Sequence, residues 1–264
     1  MKIKTEKSTY REVMARERNE RKKPVRPNIL FRSLIYILSQ PSMRKTHFSV
    51  RKKGMEKLGK KEPCLVLMNH SSFIDLKIAS TLLYPRPFNI ICEADGFVGK
   101  EWLMRQIGCI PTHKFVSETA LVKDMMYTVR TLKSSILLYP EASYSFDGTS
   151  PTPLPESLGK CIKLLKVPVV MIRTYGAFQR DPLYNLLKLR NVDVSADMEY
   201  LLSPEEIASL TSDDINSLVS SRFSFDHFQW QKENGIEVKE NFRTDGLCSV
   251  LYKCPKCGKE GVME

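Results

Sequence analysis

Short apolar runs and helical stripes alternate along most of the chain. Residues 64–68, 88–92, 135–138 and 167–172 are runs of four to six, the last β-branched. Runs of this kind suit strands covered on both faces. Residues 187–200 read as a late strand region. Between the runs, 75–83, 101–107, 116–133 and 156–166 carry helical patterns. In the third, Leu121, Met125, Val129 and Leu132 fall on one helical face, so its methionines read as core filler. Ser203-Pro204-Glu205-Glu206 offers an N-cap, a proline at the first helical position and two first-turn acids. Strand and helix alternating in this way predict an α/β fold with a mixed, partly parallel central sheet flanked by helices. No internal repeat or low-complexity tract interrupts the pattern.

At 264 residues the chain can bury one sizeable core with a small appendage. The expected division is a basic N-terminal segment over 1–49, an α/β domain over 50–240 and a tail over 241–264. The net charge of +11 is uneven. Up to Pro63 there are 19 Lys and Arg against 6 Asp and Glu, and beyond it 22 against 24, so the excess is entirely N-terminal. Within that segment 29–38 is strongly apolar and flanked by Arg21-Lys22-Lys23, Arg26 and Arg44-Lys45. A bilayer span needs about 20 apolar residues, so this run cannot cross. A short apolar helix between cations suits the plane of an anionic membrane surface, although packing on the protein's own core would use the same residues. Residues 1–26 are rich in charge and poor in aromatics, which predicts fraying or a solvated helix. No apolar stretch and small-residue cleavage site follow their charges, so a secretory signal is not expected and the site should face the cytoplasm, on a peripheral or monotopic protein.

Candidate chemistry gathers where runs end. Asn69-His70-Ser71-Ser72-Phe73-Ile74-Asp75 follows the 64–68 run, with a histidine and a carboxylate five residues apart. An imidazole titrates near neutral pH, and a carboxylate on one ring nitrogen fixes the tautomer and strengthens the other nitrogen as a base. Along a continuous helix five residues turn the chain by about 500°, which would splay the two side chains. They converge only if the chain turns between them, and a helix starting around Ser72 with Asp75 in its first turn would allow that. A surface histidine near a helix-start aspartate would show the same spacing. The 135–138 run ends in Tyr139-Pro140-Glu141-Ala142-Ser143-Tyr144-Ser145, a second titratable cluster. In open α/β sheets ligands bind beyond the carboxyl ends of strands. Ser143 and Ser145 lack the G-x-S-x-G surroundings of a hydrolase nucleophile. Ile107-Gly108-Cys109-Ile110-Pro111-Thr112-His113-Lys114 places a glycine turn before two basic residues.

Over about Val50 to Leu202 these blocks resemble the glycerolipid acyltransferases typified by bacterial 1-acylglycerol-3-phosphate acyltransferase. Asn69-His70 to Asp75 matches the NHxxxxD block without departure. Gly108 to Lys114 aligns with G-x-x-x-x-x-R, with Lys114 where the family has the arginine for the acceptor phosphate. A lysine keeps the charge and loses the bidentate fork. Tyr139-Pro140-Glu141 matches the start of F-P-E-G-T-R-S, while Ala142 stands for Gly and Tyr144 for Arg. Val167-Pro168-Val169-Val170 matches the last block, with Met171 in place of its second proline. The resemblance implies that His70 deprotonates a lipid hydroxyl, that Asp75 orients it, and that the alkoxide attacks a thioester of coenzyme A or acyl carrier protein. It also implies that Lys114, Glu141, Ser143 and Tyr144 serve the acceptor. No metal or cofactor is required, because the thioester is already activated. With two arginines replaced, acyl transfer is better supported than lysophosphatidate as acceptor.

Seven cysteines without an export signal predict reduced thiols, and Cys64, Cys92, Cys109 and Cys161 lie in or beside apolar runs. Cys254-Pro255-Lys256-Cys257-Gly258 differs, because it looks like half of a zinc ribbon. Structural zinc takes four ligands, so Cys254 and Cys257 could hold it only with Cys248, His227 or a second chain. Two reduced surface cysteines would read the same way. Two other function classes are weighed. A nucleic-acid binder would use the basic arm, but the chain has no aromatic-interleaved basic stripe and the class leaves the four blocks unexplained, so no nucleic-acid partner is expected. A lipid-binding protein that keeps the fold without turnover would retain His70 and Asp75.

Overall fold

The apolar run 64–68 becomes the strand on which the whole molecule is built. In the computed structural model, which describes residues 6–15, 21–113, 118–150 and 154–262, the strands are β1 (Ser49–Lys53), β2 (Leu65–Met68), β3 (Phe88–Glu93), β4 (Cys109–Thr112), β5 (Ser135–Leu138), β6 (Val169–Tyr175) and β7 (Ser195–Leu202). The helices are α1 (Tyr10–Ala15), α2 (Ile29–Lys45), α3 (Asp75–Leu83), α4 (Glu101–Gln106), α5 (Thr119–Arg130), α6 (Ser157–Leu165), α7 (Ala177–Arg180), α8 (Pro204–Ser209), α9 (Ser212–Phe223) and α10 (His227–Glu233).

Among the described residues the strands form one sheet in the order β1-β7-β6-β2-β5-β3-β4. Every pair is parallel except β6 with β7. The sheet is therefore mixed and mostly parallel, with helices on both faces. β2 is central, with Leu65 opposite Val169 of β6 and Ile136 of β5. Alternation along it explains why its sequence is continuously apolar. Cys64, Val66 and Met68 enter the core under α2 and α3, whereas Leu65 and Leu67 enter the opposite core under α5, α6 and α9. Full burial of a Val, Leu or Met side chain stabilises by about 1.5–3 kcal/mol, and all four strand residues are completely buried.

Element ends shift for identifiable reasons. The 116–133 pattern yields α5 over 119–130 and the late strand region narrows to β7. The Ser203 cap forms as a full capping box with Glu206. α2 runs well past residue 38, because Pro41 falls inside it without ending it. The N-terminal arm departs most from expectation. Residues 21–28 lie against the β3–β4 side of the sheet. Arg21 donates to Asp124 at 2.7 Å and to the Pro111 carbonyl at 3.1 Å, and Asn89 and Arg105 donate to the carbonyls of Val25 and Lys23 at 2.9 Å. Pro24 and Pro27 are buried. Gly108, at φ +90°, leaves the space that Pro27 fills, since a Cβ there would lie 2.4 Å from Pro27 Cγ. The Arg21 guanidinium and the carbonyls of Lys23 and Val25 make these docking contacts, which composition could not reveal.

α2 packs antiparallel on α3, with Lys77 Nζ donating to Ser42 Oγ at 2.7 Å near one end and Tyr36 stacked on Tyr84 at 4.4 Å near the other. Its outer face is apolar and exposed, with Leu30 at 75 % and Ile37 at 62 %, and it continues through Phe31 to exposed Trp102 on α4. Among the described residues no helix is long and apolar enough to cross a membrane.

Candidate active site

The five parallel strands deliver their carboxyl ends to one edge, and the loops after the three adjacent strands β2, β5 and β6 meet there. β2 stops at Met68. Asn69 is buried and its Oδ1 accepts from the Thr174 N–H at 2.8 Å, which ties the end of β2 to β6. The chain then turns through 71–74, so His70 and Asp75 are not on one helix. His70 Nδ1 lies 3.0 Å from Asp75 Oδ2. A carboxylate can only accept, so Nδ1 carries the proton and Nε2 keeps its lone pair. Among the described residues Nε2 has no hydrogen-bond partner.

α3 begins at Asp75 and not near Ser72. The reason lies in what Ser72 and Asp75 do instead. Asp75 reaches back, its Oδ2 accepting from the N–H groups of Ser71 at 2.8 Å and Ser72 at 3.0 Å. The Ser72 hydroxyl donates to Asp181 and accepts from the Ile74 N–H at 3.2 Å. Three N–H groups thus converge on one oxygen of a fully buried aspartate, which gives the imidazole a fixed partner.

The loop after β5 clamps the histidine from both sides. The His70 N–H donates to Glu141 Oε2 at 2.7 Å, and the His70 carbonyl accepts from the Ser145 N–H at 2.8 Å. Tyr139 and Tyr144 stack on the His70 ring with centroids at 4.0 Å and 3.9 Å, and Phe73 packs edge-on against Tyr144 at 5.3 Å. The imidazole is held in plane with one edge open, its side chain 20 % exposed. Burial pushes the Glu141 carboxyl up to about 7, opposed by the bond from the His70 N–H and reinforced by Asp75.

The structure brings His70, Asp75, Glu141 and Tyr144 together. Ser143 is exposed, its hydroxyl 3.5 Å from the Glu141 carbonyl. Lys114 lies outside the described residues. His113 is exposed and contacts Glu118. Sequence reasoning missed Asp181 and Thr174, and it placed Asn69 in the NHxxxxD block without giving it a role. Asp181 is buried beside Arg180 at 3.2 Å, and burial raises its carboxyl. Its signal, a charged pair just past the β6 run, is visible only once β6 is known to adjoin β2. In the tail Cys254 and Cys257 share a turn in which N–H groups of Cys257 and Lys256 lower the Cys254 thiol. Among the described residues no three His, Cys, Asp or Glu side chains gather as a metal would need, so neither Cys248 nor His227 joins them.

Residues 49–174 match the family model described as Acyltransferase. The chain carries an acyltransferase-family domain. The fold is also similar to that of a solved structure, the 1-acyl-sn-glycerophosphate (LPA) acyltransferase PlsC from Thermotoga maritima, at TM-score 0.58 and 15 % identity. That match covers 78 % of this chain and 81 % of the other. The family model shows an acyltransferase domain, and the structural likeness shows that its fold is shared with that enzyme. No curated protein sequence matches the chain. The acyltransferase domain contains the His70, Asp75 and Glu141 cluster in full, while Asp181 lies just beyond its matched end.

Proposed function

We propose that the protein is an O-acyltransferase that moves a fatty acyl group from a thioester of coenzyme A or acyl carrier protein to a hydroxyl of a membrane lipid such as a lysophospholipid. The observation that carries this reading is the 3.0 Å bond from His70 Nδ1 to Asp75 within an acyltransferase-family domain, with Nε2 left free on the open edge. Nε2 takes the acceptor hydroxyl proton as the oxygen attacks the thioester carbonyl. The tetrahedral intermediate collapses with breakage of the C–S bond, and the imidazolium returns its proton to the leaving thiolate. The products are an ester and a free thiol. Asp75 orients the ring, and Tyr139 and Tyr144 hold its plane. Glu141 positions the His70 backbone. Tyr144 stands where the family block has an arginine, which supports a wider acceptor range than lysophosphatidate.

The exposed apolar face of α2 and Trp102 supports work at a membrane surface, with these side chains in the acyl boundary. Attachment would be peripheral or monotopic, at the cytoplasmic face. The experiment is an acyl-thioester consumption assay over a panel of lysophospholipids and other hydroxylated lipids, with products read by mass spectrometry. Wild-type protein should form an ester that His70→Ala does not. Equal thioester loss in both proteins would remove the mechanism and leave a lipid-binding protein on this fold.

A further inference from the structure

A second cleft opens at the other end of the sheet. It has a volume of about 860 Å³ and lies between the start of β2, the loop after α3, β1 and the N-terminus of α2. Pro63 lines it and is seven residues before His70, so the two sites are roughly 20 Å apart along an extended strand. Arg26, Arg32, Lys52, Lys60, Lys61 and Lys133 surround the opening, and its floor is apolar, with Met55, Leu58, Leu82 and Met198.

The positive charge far exceeds the single acid of the lining, Glu62. Arg51 and Lys53 of β1 pair across the sheet with Asp197 and Glu199, at 2.7 Å and 2.8 Å. Lys52 lies between them on the opposite pleat, facing the cleft, and among the described residues its ammonium has no partner. Glu62 is the acid of the lining, and its Oε2 is turned onto the Gly59 N–H at 3.0 Å. Arg32 donates one guanidinium N–H to the Pro85 carbonyl at 2.7 Å, while its Nε is buried with no partner. Burial and, less, the neighbouring Arg26 lower the Arg32 pKa, opposed by Tyr84.

We propose that this cleft is an anion site for a phosphomonoester carried on an apolar body, the cations taking the phosphate and the floor taking the first carbons. Several cations around one opening favour a group with more than one negative charge, and the apolar floor favours an amphiphile over a nucleic acid. The same chemistry occurs in the headgroup of a lipid such as phosphatidic acid and in a water-soluble ester such as glycerol 3-phosphate. The inference does not rest on acyl transfer, and His70→Ala should bind as wild type.

The test is binding of full-length protein to phosphatidylcholine vesicles with and without phosphatidic acid. It compares wild type with the triple variant Lys52→Gln, Lys60→Gln, Lys61→Gln and a charge-matched control, Lys232→Gln, Lys239→Gln, Lys256→Gln. All six lysines are exposed, so both variants should fold. The cleft variant should lose about 100-fold in affinity for phosphatidic acid vesicles, and the control less than about tenfold. Displacement of the protein by glycerol 3-phosphate would identify a soluble ester as sufficient, and no displacement would identify the lipid. Equal losses in the two variants would overturn the proposal, because diffuse charge would then explain the binding. So would a cleft variant that binds like wild type, or one that loses a single-stranded oligonucleotide more than it loses vesicles.

Discussion

The backbone N–H of His70 donates to the side chain of Glu141, 71 residues away, at 2.7 Å. This bond fixes the strand end that carries the imidazole to the loop after β5. It also leaves a carboxyl buried, with its titration displaced from 4.5 to about 7. In that window the folded protein holds a proton that the unfolded chain has released, so stability falls as pH rises through it. Below about 4.5 both states are protonated and the full stability is present. Glu141→Gln keeps an acceptor for the His70 N–H and removes the titration. Melting profiles should show wild type losing up to ~3 kcal/mol relative to this variant between pH 4.5 and 7. Parallel profiles across that range would contradict the burial of the charge.

Asp75→Asn tests the orienting bond. An amide can present either an N–H or a carbonyl to Nδ1, so the tautomer with a basic Nε2 is no longer enforced. Turnover should fall by about 10²–10⁴-fold, the range of general acid–base contributions, with the KM for the acyl thioester unchanged. Weakened donor affinity at unchanged turnover is the opposite result and would assign Asp75 to binding.

Tyr139 is half-buried, but its hydroxyl is buried and has no partner among the described residues, and burial raises its phenol well above 10. The ring is what stacks on His70. Tyr139→Phe keeps the ring and removes an unsatisfied oxygen, so chemical denaturation should show a gain of about 1 kcal/mol or more. A loss of stability would mean that the hydroxyl has a partner, such as a bound water.

Ala142 has φ +57°, in the left-handed region, at the turn that sends Glu141 inward. An alanine there costs roughly 1–2 kcal/mol, part of which a glycine would recover. Ala142→Gly should raise the denaturation midpoint. A fall would show that chain entropy outweighs the strain relieved.

Much of the fold was legible in the sequence because it follows from local rules. The runs 64–68, 88–92, 135–138 and 167–172 are mostly apolar without alternation, which is what a strand covered on both faces requires, and all four became strands. The Ser203 cap is local for the same reason. Asn69, His70 and Asp75 could be named because their spacing is a property of one short segment, and Glu141 and Tyr144 because a second block carries them. The start of α3 was misplaced by three residues because Ser72 has the right type for a cap but spends its hydroxyl on Asp181, more than a hundred residues further on. Residues 1–26 read as solvated by composition, yet within them 21–25 are held by Asp124, Arg105 and Asn89, none of which composition can associate with them.

The sequence by itself determined five of the strands and the helices between them, though not β1 or β4, and it determined where the charge lies and which residue types could exchange a proton. It could do so because periodicity and spacing act over a few neighbours. Only the tertiary structure decided strand order, and with it that β2 lies between β5 and β6. That adjacency places Glu141, Tyr139, Tyr144 and Asp181 around one imidazole and leaves a basic cleft at the opposite end of the sheet. Contacts between residues a hundred positions apart depend on how helices pack across the sheet, and no local pattern encodes that.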